Sequence, residues 1–277
     1  MQISGVCLEY AWVGPKPGTG QGRGARGGSQ ARPTLVFLHE GLGCVSMWRD
    51  FPERLSEATG CGALVFSRRG YGNSDPVPLP RPLTYMHDEA FTVLGPVLDR
   101  FAIERAILVG HSDGASIAAI YAGGVEDHRV RGLVLMAPHF IVEDICVKSI
   151  AEAKTAYETT DLRDRLARHH GDNVDCAFRG WNRVWLEADF RKWDIREYLA
   201  YIRVPMLIIQ GETDEYGTAR QIDIAREECS SPVEAVLLAD CGHAPFRDQP
   251  EATLAAARDF ILSLIAIETG EREGVAG

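Results

Sequence analysis

Ser112 lies in Gly110-His111-Ser112-Asp113-Gly114, a G-x-S-x-G spacing. A serine hydroxyl is a weak nucleophile until a base takes its proton and an acid orients that base. Both are present downstream, in the order Ser, Asp, His: Asp214 closes Gly211-Glu212-Thr213-Asp214, and His243 closes Asp240-Cys241-Gly242-His243. With Asp214 accepting the Nδ1 hydrogen of His243, Nε2 is left to take the Ser112 proton. Glu212 and Asp240 are rival acids, and loop position favours Asp214. His39 and His111 fall at strand ends and read as structural hydrogen-bonding residues.

These side chains need strand ends to hold them. Ala106-Ile107-Leu108-Val109 is a continuous apolar run, the pattern of a buried parallel strand. The small residues Ala115 to Ala119 suit a helix packed closely on a sheet. A strand, a sharp turn and a helix would put the Ser112 hydroxyl at the tip of a strained bend, with Gly110 and Gly114 leaving room for it. The helix N-terminus that follows carries free N–H groups suited to a developing oxyanion.

The rest of the chain repeats the alternation. Val6, Leu8, Tyr10 and Trp12 read as a half-buried strand, and 34–39, 62–67, 130–136, 204–210 and 233–239 as further strands. Helices are expected over 46–59, from Thr84 to about Phe101 despite Pro96, after Ser112, over 218–229 and from Pro250 to about Ile267. Residues 14–33, GPKPGTGQGRGARGGSQARP, read as a flexible surface loop dispensable for activity. They lack the GK[ST] of a phosphate cradle. From 139 to 201 charged and aromatic residues mix at helical spacing, with Trp181, Trp185 and Trp193 among them. Three or four helices inserted between two strands are expected there. The fold class is α/β, with a mostly parallel, doubly wound sheet.

Bulk properties narrow the partners. The 277-residue chain has a formal net charge of −10, which argues against nucleic acid and anionic membrane. Seven cysteines without a C-x-x-C pair read as reduced thiols, not a disulfide frame or a zinc site. The N-terminus lacks a signal-peptide pattern, and no apolar run spans a membrane. A soluble cytoplasmic protein with no cofactor and no metal is expected, and a homo-oligomer is left open.

HEGLG after a strand, RRGYGNSD, GHSDG, GETD and CGHAPFRDQP resemble the successive landmarks of the α/β-hydrolase family over nearly the whole chain. The resemblance implies a core domain of residues 1–138 and 202–277, with 139–201 as an inserted helical cap. It implies oxyanion donors at the backbone N–H of Asp113 and of Gly41, with Leu42 as the fallback. Glu40 stands where the family commonly has glycine, and Ser67 where it often has aspartate. The Ser-Asp-Gly elbow resembles valacyclovir hydrolase-like members, in which the aspartate recognises a substrate ammonium. Glu40, Asp113, Trp181 and Trp185 are accordingly candidate substrate-binding residues. The opposing reading has Asp113 cap the elbow helix or pair with an arginine such as Arg69, Arg179 or Arg183.

A serine hydrolase cleaving a small-molecule carboxylic ester, thioester or amide through an acyl-enzyme is the expectation. A carbon–carbon bond hydrolase of aromatic ring-cleavage products, which also uses Ser, Asp and His, is the alternative within the fold. A non-catalytic ligand-binding member is the alternative outside enzymes.

Overall fold

Seven strands form one sheet in the computed structural model, which describes residues 1–17 and 32–269. In chain order the strands are β1 (Gln2–Ile3), β2 (Val6–Cys7), β3 (Tyr10–Val13), β4 (Thr34–Leu38), β5 (Ala63–Phe66), β6 (Ala106–His111), β7 (Val130–Met136), β8 (Met206–Gly211) and β9 (Val233–Leu238). β1 and β2 pair only with each other, and the main sheet runs β3-β5-β4-β6-β7-β8-β9. Within the main sheet β3 is antiparallel, on β5, and the other pairings are parallel; β1 and β2 pair antiparallel. The single strand expected over residues 2–13 is broken because Ser4 and Gly5 turn at positive φ. The flexible loop expected over 14–33 falls mainly on residues 18–31, which lie outside the described residues.

The helices are α1 (Phe51–Thr59), α2 (Tyr85–Asp88), α3 (Gly95–Arg100), α4 (Asp113–Gly124), α5 (Asp144–Thr159), α6 (Leu162–His170), α7 (Val174–Trp185), α8 (Arg196–Leu199), α9 (Arg220–Glu228), α10 (Pro245–Asp248) and α11 (Pro250–Thr269). Alternation along each buried strand divides the core into two layers. Leu35, Phe37, Ile107, Val109, Val134 and Met136 pack with α1 and α11. Val36, Leu38, Leu108, Leu133 and Leu135 face the other way and pack with α4. A parallel sheet covered on both faces brings its strand ends, and the loops after them, to one edge.

Two expected helices are interrupted. The 46–59 helix is a 3₁₀ turn (Val45–Trp48) and then α1, because Arg49 turns at φ 56° and Pro52 opens α1. The 84–101 helix is α2, a π-helical stretch (Glu89–Leu94) and α3. Pro96 has no N–H to donate and crowds the carbonyl four residues back, which the wider turn just before it relieves. Between β7 and β8 the chain forms α5 to α8 with short 3₁₀ turns. No helix of the described residues is long and apolar enough to cross a membrane.

Candidate active site

β6 ends at His111, and α4 begins at Asp113, so Ser112 alone makes the turn between them. It holds φ 52° and ψ −118°, a strained conformation for a residue with a side chain. Both neighbouring glycines are required by space. A Cβ at Gly110 would lie 2.5 Å from Ala115 Cα, and one at Gly114 would lie 1.9 Å from the Leu38 carbonyl oxygen. The second contact seats the start of α4 on the end of β4.

The structure brings Ser112, His243 and Asp214 together. His243 Nε2 lies 2.9 Å from Ser112 Oγ, and His243 Nδ1 lies 2.9 Å from both carboxylate oxygens of Asp214. Gln210 Nε2 donates to Asp214 Oδ2 at 2.7 Å, and the Tyr216 and Gly217 N–H groups donate to Oδ1 at 2.7 and 3.2 Å. Burial alone would raise the Asp214 carboxyl. The hydrogen bond and charge of His243, with the Tyr216 N–H, outweigh it and hold the group below the usual carboxylate range. Glu212 and Asp240 are both exposed, and neither bonds to His243. The His243 ring lies among Tyr216 at 4.7 Å, His111 at 5.2 Å and His139 at 5.6 Å between centroids. Burial, then the charge of His243, push His139 down to about 3, so it stays neutral beside His243.

The loop after β4 carries Glu40, Gly41 and Leu42. Gly41 must be glycine, because a Cβ there would lie 2.2 Å from the Trp181 ring. The Asp113 N–H is the first of α4, where no intrahelical acceptor exists. His39 fixes the loop from below: its Nδ1–H donates to the Glu40 carbonyl at 2.7 Å and its Nε2 accepts the Arg68 N–H at 3.0 Å. Burial, then the Arg68 charge, hold His39 well below the ordinary histidine pKa.

Asp113 differs from the expected ammonium-recognising side chain. It is 0 % exposed, and its Oδ2 accepts from Tyr85 Oη at 2.6 Å and faces Arg68 Nη2 at 3.4 Å. Its partner arginine is therefore Arg68. Arg69 instead donates to the Pro76 carbonyl, Arg179 pairs with Asp175, and Arg183 is exposed. Arg68 Nη2 also donates to the Glu40 carbonyl at 2.9 Å. Trp185 is likewise not placed as an open substrate contact. It is 1 % exposed, donates Nε1–H to Tyr85 Oη at 3.0 Å and packs on His139 and Phe190. Trp181, by contrast, covers Gly41.

Glu40 turns toward His111, with Oε2 3.4 Å from Nδ1, an ion-pair contact and longer than a hydrogen bond. Burial would raise the Glu40 carboxyl, but the His111 ring, then Arg247, keep it well below the usual range. Sequence reasoning missed Arg68, Tyr85, Gln210 and His170. His170, at the end of α6, accepts the Gly72 N–H at 3.0 Å and donates to the Leu42 carbonyl at 2.9 Å. Only Arg68 had a signal, as a second basic residue before the loop Arg-Gly. Among the described residues no group of three or more His, Cys, Asp or Glu could hold a metal ion.

The family description that matches the chain, over residues 35–257, is the alpha/beta hydrolase family. A proline iminopeptidase of Lactobacillus helveticus is 20 % identical over 267 residues, covering 83 % of this chain and 90 % of that protein. A thermophilic esterase of Thermogutta terrifontis superposes with a TM-score of 0.69 at 16 % identity, covering 94 % of each chain. An enol-lactonase of Burkholderia xenovorans does so with a TM-score of 0.68 at 20 % identity, covering 94 % of this chain and 98 % of that one.

Proposed function

Since the chain belongs to the alpha/beta hydrolase family, we propose that it is a serine hydrolase cleaving a small-molecule carboxylic ester through an acyl-enzyme. The observation that carries this is the contact of His243 Nε2 with Ser112 Oγ at 2.9 Å, with Nδ1 held by Asp214 at the same distance. His243 takes the hydroxyl proton as Ser112 attacks the ester carbonyl, and returns it to the leaving alcohol. Asp214 holds the tautomer and balances the imidazolium. Water then attacks the acyl carbon as His243 takes its proton, and the acid leaves as the acyl–Oγ bond breaks and His243 returns the proton to Ser112 Oγ. The N–H groups of Gly41 and Asp113 stabilise the oxyanion in both steps.

The helices between β7 and β8 act as a cap in this reading, with Trp181 roofing the oxyanion loop. Asp113, sealed by Arg68 and Tyr85, presents no charge to the substrate. The reading is therefore of a substrate neutral beside the scissile bond, with a soluble protein acting on it.

The test is a burst experiment with a p-nitrophenyl ester and mass spectrometry of the quenched protein. An adduct on Ser112 that is absent from Ser112→Ala supports the reading. Turnover of a ring-cleavage dienoate without ester turnover would move it to carbon–carbon bond hydrolysis. Absence of both would move it to a ligand-binding member of the fold.

A further inference from the structure

We infer that Glu40 and His111 form a second acid–histidine pair, which positions the base loop and the oxyanion loop against the nucleophile. The inference rests on the serine hydrolase reading of the site. His111 Nε2 lies 2.7 Å from the His243 carbonyl oxygen. A carbonyl has no proton to give, so Nε2 carries one and donates it. That leaves Nδ1 facing the Glu40 carboxylate. Nδ1 is buried without a hydrogen-bond partner, and the Glu40 carboxylate is the group aimed at it. The carboxylate thus orients the ring, whose Nε2–H is held on the backbone of the residue that serves as base.

Three loops meet in this chain of contacts. Glu40 directly precedes Gly41 of the oxyanion loop. His111 directly precedes Ser112, and His243 supplies the accepting carbonyl. His111 is 0 % exposed and held edge-on by Trp48 and Phe246, at 6.3 and 5.4 Å between centroids. Gly43 provides the space for the carboxylate, since a Cβ there would lie 2.3 Å from Glu40 Oε2. The groups facing the pair are His39 on its own loop, His139, His170, His243 and Arg247. A glycine at position 40 could hold the loop but could not orient His111. Glu40 is thus a positioning residue that acts through His111, not a substrate contact.

The test uses the full chain labelled with ¹⁵N-histidine, in a Ser112→Ala background, with His111 assigned by His111→Gln. His111 Nε2 is expected to carry a proton, and the ring resonances to shift in Glu40→Gln as the orienting carboxylate is lost. In the Ser112 protein, Glu40→Gln should lower kcat for a p-nitrophenyl ester by about tenfold with KM little changed, the scale of a lost supporting hydrogen bond. Glu40→Asp should recover part of it. A His111 ring without a proton on Nε2, or with resonances unmoved by Glu40→Gln, overturns the pair, as does an unchanged kcat in Glu40→Gln. A loss confined to KM makes Glu40 a substrate contact and overturns it equally. If the wild type turns over no ester, the hydrolase reading fails, and the His111 spectrum decides the pair by itself.

Discussion

Asp113 and Asp214 are two buried carboxylates at the same edge of the sheet, 0 % and 6 % exposed. Asp214 faces a histidine, whose ring can take and return a proton near neutral pH. Asp113 faces an arginine and a tyrosine, neither of which gives up its proton there. Burial, with Asp113, pushes the Tyr85 phenol well above its ordinary value. Asp113 directly follows Ser112, yet its side chain is locked away. Asp214 is distant in sequence and is the one joined to His243. The partner, not proximity to Ser112, assigns a carboxylate its chemistry.

The largest effect expected bears on the Asp214 side. Ser112→Ala should lower kcat by about 10⁶ and Asp214→Asn by about 10⁴, with far-UV spectra unchanged. Asp240→Asn should stay near wild type. Kinetics with one activated ester check all three, and a greater loss for Asp240→Asn would move the orienting acid.

Asp113→Asn should reverse the balance of activity and stability. It leaves a buried Arg68 without its carboxylate, a loss of about 3–5 kcal/mol, so the melting temperature should fall by roughly 10 °C. Its activity loss should be smaller than that of Asp214→Asn. An undisturbed melting temperature, with a wild-type preference for an α-aminoacyl ester that disappears in the variant, would return Asp113 to ammonium recognition.

Near neutral pH, protons should act through the buried histidines. Burial lowers His39, His139 and His170, the charge of His243 adding to it at His139. As pH falls, the unfolded chain takes these protons first, so stability is lost from about 6.5 downward, for His139 until about 3. Asp214 and Glu40, held low, lose their contribution only below the ordinary carboxylate range. The melting temperature should therefore drop between about pH 7.5 and 5, and His139→Gln should flatten that drop. A flat profile in the wild type would break the assignment.

The smallest effect is expected at an exposed pair. Arg54 and Glu251 form a contact at 2.7 Å between side chains 31 % and 78 % exposed. Glu251→Ala should leave the urea unfolding midpoint close to that of the wild type, because solvent screens the pair. A cost near that of Asp113→Asn would show that burial is not what separates the two ion pairs.

Much of this was legible in the sequence because it is local or ordered along the chain. The apolar run before Gly110, the small residues after Gly114 and the order Ser112, Asp214, His243 needed only period and spacing. A parallel sheet covered on both faces then brings the strand-end loops together, whatever lies between them. The neutralising partner of Asp113 was not legible. Arg68 and Arg69 are adjacent and chemically identical, and the turn after β5 sends one to Asp113 and the other to the Pro76 carbonyl. The link from Asp113 through Tyr85 to Trp185 joins residues up to 100 positions apart, and no periodicity records it. The same holds for Trp181 on Gly41 and for Glu40 on His111. Local sequence sets the period of an element and where it turns. The direction of each side chain across the gap between elements is set only when register, packing and burial act together.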